Sequence, residues 1–357
     1  MASTDTPHSS ARPLTGALIA AGLALSGVLL RRHERRQVHR QIEQNRRGRM
    51  ASRPSEIPAS GWWDILNRTW QKMGEDNISL VAAGVAFYSL LSIFPAFTAL
   101  VSLYGLVADP AQVEKQIATA QGFLPAEALK LISDQLHALV QVPKTGISIG
   151  LAVSVMLALW SARAGIGAMM TALNIAYGEE ERRNIIEFNL VAIGLTAGMI
   201  VFGIVALLLV AVIPAILNLL PLPGPIIWAI SLVRWPILAG FAILAQAALY
   251  RFGPSRERPR WRWVSWGSTI ATLLWIIASI GFSVYVSKFS DYNATYGSLG
   301  AVVILLMWFY ISAYIFLAGA ELNAEMERQT ARDTTTGPER PLGARGAYAA
   351  DTVAASG

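Results

Sequence analysis

The chain is 357 residues long, 54% hydrophobic and only 15% charged, with a mean hydropathy of +0.45, whereas a soluble domain has about a quarter of its residues charged. The apolar residues are gathered into uncharged stretches long enough to cross a bilayer, which excludes a single soluble globular domain. The net charge of +6 sits mostly in two Arg-rich loops, the pattern of membrane topology and anionic-lipid contact rather than specific nucleic-acid binding, and the absence of Cys removes disulfides, thiolate metal sites and Cys nucleophiles.

Residues 1–30 hold a polar tail and the apolar run Leu14 to Leu30, which at helical rise reaches about 26 Å, a short accessory span. Its only preceding cation is Arg12, and the charges follow it, so it is not built like a signal peptide. Residues 31–60 carry nine Arg and then Pro54 and Pro58, and read as a solvated cytoplasmic linker that touches acidic headgroups. Trp62 to Glu75 is amphipathic, with Trp62, Trp63, Ile65, Leu66, Trp70 and Met73, and is expected to lie in the interface plane.

Six core spans follow within residues 61–327, giving an all-α polytopic bundle. Residues 78–107 contain Pro95, so a kink or break is expected at Ile93–Pro95. A polar extracytoplasmic region, 108–145, precedes the span 146–176 with Arg163. Spans 190–212, 226–249 (with Arg234 and Pro236), 264–286 and 297–320 complete the set. The Thr-, Ala- and Gly-rich tail 328–357 is expected to be disordered. The segments 31–79, 178–189 and 250–262 carry eleven, two and five Lys or Arg, against none in 213–227 and one in 287–297. Cations in short loops set orientation, so both ends of the core are expected in the cytoplasm of a bacterial plasma membrane.

Polar groups at membrane depth are the candidates for function. Arg163 is expected near the cytoplasmic edge, as an anchor or an anion site, with Gly165 and Gly167 beside it to admit close backbone. Arg234 lies about 12 Å from the outer surface by helical rise, next to Pro236 and without an acid inside any span. The outer loop gathers Asp291, Tyr292, Asn293 and Tyr296 ahead of Gly297, either as a lipid- or anion-binding group with the two Arg or as a capped turn. Asn174, Glu321, Asn323 and Glu325 supply polar groups at the cytoplasmic helix ends. Neither phosphate-binding loops nor hydrolase or metalloprotease motifs occur, and the four His are scattered, so no catalytic residue, metal or cofactor is expected.

Four ordered stretches carry a family resemblance. They are Ala82 to Pro95 (AAGVAFYSLLSIFP); Leu159 to Gly165 with Leu173 to Gly178; Tyr285 to Gly300 (YVSKFSDYNATYGSLG); and Gly319 to Glu325 (GAELNAE). Across roughly residues 60–327 the chain resembles the YihY/BrkB family of bacterial inner-membrane proteins. The resemblance implies six core spans, and leaves residues 1–60 outside the pattern. It also brings the labels ribonuclease BN and virulence or serum-resistance factor, and a link of some relatives to envelope lipids. The ribonuclease label conflicts with the residues, since RNA cleavage needs an acid/base pair or metals. The expected function is transporter- or flippase-like handling of an anionic lipid or other amphiphile. The alternative is a non-catalytic envelope scaffold that binds proteins through 31–60 and 108–145.

Overall fold

The computed structural model describes residues 47–107, 149–214, 217, 223–288 and 298–354. Seven helices longer than two turns account for most of them: α1 (Ala59–Glu75), α2 (Ile78–Val107), α3 (Ile149–Tyr177), α4 (Ile185–Leu207, prolonged by a π-helical turn Leu208–Val212), α5 (Gly224–Phe252), α6 (Trp261–Lys288) and α7 (Ser298–Gln329). A single turn, α8 (Tyr348–Asp351), follows in the tail. Among the described residues five helices are long and apolar enough to cross a membrane, or six when α1 and α2 count as one bent span. The chain is therefore an all-α, multi-pass membrane protein.

Helices α2 to α7 form a closed ring: each packs on the next, and α7 returns to α2. Lipid tails are as apolar as these side chains, so close backbone approach, rather than water exclusion, must hold such a ring together. Small residues provide that approach. A Cβ on Gly165 would stand 3.2 Å from the Cα of Ser89, and one on Gly319 would stand 2.7 Å from the Cβ of Ala271. Gly165 also donates its N–H to Ser92 Oγ at 2.7 Å, joining α2 to α3. Gly167 meets only ordinary contact with Phe188, so it permits packing without being required for it.

The helix ends are specified locally. Gly178, at φ +66°, closes α3 with its N–H on the Ile175 carbonyl and the Glu179 N–H on the Asn174 carbonyl, a Schellman arrangement. Asn184 and Glu187 form a capping box at the start of α4. Between α1 and α2 the chain turns by 66° at Asp76 and Asn77, the latter at φ +50°. That bend lays α1 across the bundle end. Ile65 and Thr69 face inward there, while Trp63, Leu66 and Trp70 line the exposed side.

Three expectations need correction. The break expected at Ile93–Pro95 does not occur: α2 runs unbroken through Pro95, held along α3, and the break sits at Asn77 instead. The tail is not disordered as far as residue 354. Arg345, buried, donates to the carbonyls of Ala331, Arg332, Arg340 and Ala350, and Thr335 bridges to Pro259. Composition could not reveal this, because an Arg that gathers carbonyls from both sides of a turn replaces an apolar core. Finally, residues 47–58 are not a bare solvated linker. Ala51 and Ile57 are buried, Arg47 pairs with Asp64 at 3.0 Å, and Gln329 donates to the Arg47 carbonyl. The accessory span 14–30, the region 108–145 and the loop residues Asp291, Tyr292, Asn293, Tyr296 and Gly297 lie outside the described residues.

Candidate functional site

The helix ring lines a half-open cavity of about 490 Å³, to which every one of the six helices contributes. Its wall is apolar apart from a few hydroxyls and one amide, Gln246. Gln246 is tied in on both sides: Thr272 Oγ1 donates to its Oε1 at 3.0 Å, and its Nε2 donates to the Tyr250 hydroxyl at 2.8 Å. Tyr250 in turn donates to the Phe316 carbonyl at 2.7 Å, and Trp275 Nε1 donates to Ser312 Oγ at 3.0 Å. Such a chamber suits a mostly apolar ligand with a polar atom or two, since pockets of this size take orientation from a few fixed hydrogen-bonding groups. Gln246 and Tyr250 were readable in principle, as a polar pair one helical turn apart within an otherwise apolar span.

Toward one bundle end, here termed the charged end, the apolar wall continues into a buried layer that includes Leu173, Tyr177, Tyr250 and Leu317. Beyond that layer lies a polar cap. Arg256 Nη2 meets a Glu327 carboxylate oxygen at 2.5 Å with both side chains fully buried, and the guanidinium stands 4.3 Å from the centre of the Tyr177 ring. Burial alone would lower the Arg256 pKa, but the Glu327 charge reverses that and raises it. Asn174 receives the Ser255 N–H at 2.7 Å and donates to Glu181 at 2.9 Å. Burial pushes the Glu181 carboxyl up, yet hydrogen bonds from Arg183 and Asn174 prevail and hold it down at about 2. Glu179 is raised, because its burial outweighs the hydrogen bond from the Tyr348 N–H.

The residues expected at the helix ends all belong to this cap. Asn323 Oδ1 accepts the Gly267 N–H at 3.0 Å, and Glu325 takes Arg68 at 2.6 Å and Arg328 at 2.5 Å. Glu321 is 1% exposed and makes no ion pair among the described residues. Sequence reasoning did not find Arg256, Glu327 or Arg345, whose buried pairing depends on the fold of the tail.

The two membrane Arg stand apart from the cavity and from each other. Arg163 occupies the midpoint of α3, equally far from Ile149 and Tyr177. The guanidinium is half-buried, 4.2 Å from the centre of the Trp160 ring, and its Nε has no hydrogen bond. Arg234 is half-buried on α5, 5.3 Å from the Trp235 ring, and both Nε and Nη1 lack a partner. Pro236 stays within a continuous α5. No carboxylate pairs with either Arg among the described residues.

The profile of the family described as Virulence factor BrkB matches residues 69–343. The ribonuclease-like protein YfkH of Bacillus subtilis is 33% identical over 254 residues, covering 70% of this chain and 90% of that protein. The UPF0761 membrane protein VV0203 of Vibrio vulnificus is 28% identical over 276 residues, 74% of this chain and 82% of that one. A UPF0761 membrane protein of Vibrio atlanticus is 29% identical over 269 residues, 72% and 80% respectively. No solved structure matches the chain.

Proposed function

Because the chain belongs to the virulence factor BrkB family of membrane proteins, we propose that it moves or exchanges a lipid or amphiphilic envelope molecule in the bacterial plasma membrane, with the central cavity as its binding chamber. One observation carries this reading: a half-open cavity of about 490 Å³, apolar over most of its wall, is lined by all six helices of the ring rather than wedged between two of them. A chamber lined by every span is the arrangement in which rocking of the helices would expose the same ligand to either side. The two unpaired guanidiniums, Arg163 and Arg234, are the groups for anionic headgroups on the perimeter, since an Arg at depth needs a phosphate, an acid or water. The orientation that goes with this reading places the charged end in the cytoplasm.

Proteoliposomes carrying fluorescent phospholipids test it. Wild-type protein should accelerate movement between leaflets or between vesicles, and Ala245→Phe, which fills the cavity, should slow it while leaving the cap intact. A folded wild-type protein that moves no lipid and takes up no amphiphile under any imposed gradient overturns the reading. Recovery of a stable protein partner with no retained lipid would favour the scaffold. The ribonuclease-like name belongs to one relative. Among the described residues no three His, Asp or Glu side chains converge as a metal site.

A further inference from the structure

Three acids end α7 on its inner side, and their surroundings differ. Glu327 has Arg256, and Glu325 has Arg68 and Arg328. Glu321, one turn nearer the cavity than Glu325, is 99% buried by its 1% exposure, has no cation paired to it, and leaves Oε1 without a hydrogen bond. The side chain that faces it from the α1–α2 bend is another acid, Asp76. The ammonium of Lys72, the nearest cation, is occupied by Glu75 at 3.2 Å and Asp76 at 3.4 Å. Glu325 adds a second negative charge from α7 itself, and Tyr177 faces the group from α3 beneath Arg256. A buried carboxylate that faces a second one cannot be ionised beside it without cost, and one proton between them relieves it.

The same corner contains more unmet hydrogen-bonding capacity. Asn323 Nδ2 is wholly buried without a partner, and so is the Tyr177 hydroxyl, which lies beside Asn323 and Tyr250. Tyr250 then connects by its hydroxyl to Gln246 on the cavity wall. Gln246, Tyr250 and Tyr177 thus set polar atoms into the apolar layer on the side of the cavity toward Glu321. A buried carboxyl with a free oxygen, opposite an acid and beside unfilled donors, is suited to a proton and to the water that delivers it. A hard metal cation would require several more oxygen ligands than these residues supply.

We propose that Glu321, surrounded by Asp76, Tyr177 and Asn323, is a proton-binding site, and that its occupancy is coupled to the central cavity through Tyr250 and Gln246. This rests on the carrier reading for its purpose, and the proton is then the coupling ion. The position beside the 66° bend gives the coupling a mechanical route, because removing the shared proton drives Glu321 and Asp76 apart and pushes α1 from the end of α7.

Infrared titration of the detergent-solubilised full chain tests it without lipid or gradient, so that failure of the carrier reading leaves the result standing. The expected spectrum shows a protonated carboxyl at neutral pH that is lost on alkalinisation, is missing in Glu321→Gln, and titrates at a different midpoint in Asp76→Asn. Tyr250→Phe should also move the midpoint. A wild-type spectrum identical to that of folded Glu321→Gln at every pH overturns the site. So does a carboxyl signal that responds to sodium and not to pH. Should Glu321→Gln fail to fold, Glu321→Asp and Asp76→Asn carry the test, and unchanged midpoints in both overturn it. A midpoint unmoved in folded Tyr250→Phe overturns the link to the cavity.

Discussion

Arg256 and Glu327 form the most deeply withdrawn ion pair of the described residues: 2.5 Å apart, neither side chain exposed to solvent, with Thr334 Oγ1 donating to the second Glu327 oxygen at 2.7 Å. Two segments distant in sequence meet at this point, the α5–α6 connection and the end of α7 with the tail that follows it. Removing one partner leaves the other charged and buried, which costs about 3–5 kcal/mol. Arg256→Met and Glu327→Met should each lower the unfolding temperature steeply, followed through the fluorescence of the eleven Trp. The double variant should recover most of the loss. A double variant as unstable as either single one would show that the pair is not the source of the effect.

The tail is held by Arg345, whose guanidinium and Nε serve four carbonyls. Arg345→Ala leaves those carbonyls without donors and should release residues 330–354 from the cap, at a local cost of about 2–4 kcal/mol. Limited trypsin digestion reads this directly, with cleavage after Arg332 becoming many times faster than in the wild type. Equal digestion rates would mean that the tail is secured by its other contacts, among them the backbone bonds to Arg49, Arg328 and residues 257–260.

The span pattern and the polar helix ends were legible because uncharged stretches and the polar residues that end them are local signals. The cavity and the cap were not. Gln246 and Tyr250 acquire a role only when the ring closes around them, and Glu325 and Glu327 gain meaning only once Arg68 and Arg256 arrive from elsewhere in the chain. Pro95 gave a strong local signal for a break, but packing of α2 on α3 overrode it, while the actual break at Asn77 had the weaker signal of a single Asn.

Two glycines on the helix ring should respond oppositely to the same change. A Cβ on Gly319 would fall 2.5 Å from the Tyr250 hydroxyl and 2.7 Å from Ala271, so Gly319→Ala forces α5, α6 and α7 apart and should cost about 1–3 kcal/mol. Gly194 on α4 has nothing within 4 Å of that position, and Gly194→Ala should be neutral or slightly stabilising through helix propensity. Thermal unfolding of the two variants in one detergent gives the comparison.

Glu181 sets a pH dependence at the charged end. Its folded-state carboxyl is held at about 2, below the ordinary 4.5, after burial is outweighed by Arg183 and Asn174. Stability from this group is therefore complete above about pH 4.5 and is lost as pH falls toward 2. With its side chain 31% exposed, screening reduces the contribution to about 1–2 kcal/mol. Glu181→Gln should remove it at neutral pH and flatten the acid side of the stability curve; an unchanged acid limb in the variant would assign the loss to other groups.

Arg234 offers the sharpest contrast between an anchor and a site. Its guanidinium is half-buried with Nε and Nη1 unpartnered, and a ring contact at 5.3 Å to Trp235 is its only recorded interaction among the described residues. If it holds a lipid phosphate, Arg234→Lys should also impair lipid movement, because a point charge loses the planar fork that grips two phosphate oxygens. Arg234→Gln should be worse, since it keeps polarity and discards charge. If the side chain merely reaches to the interface, Lys should replace it without loss, as both side chains are long enough to do so. Stability has to be followed beside activity, because Trp235 would lose its stacked cation in Arg234→Gln and the helix could fail for that reason alone. Native mass spectrometry separates the cases: retained anionic lipid in the wild type, less in Arg234→Lys and least in Arg234→Gln supports the site. Full activity and undiminished lipid retention in a normally folded Arg234→Gln would remove this residue from it.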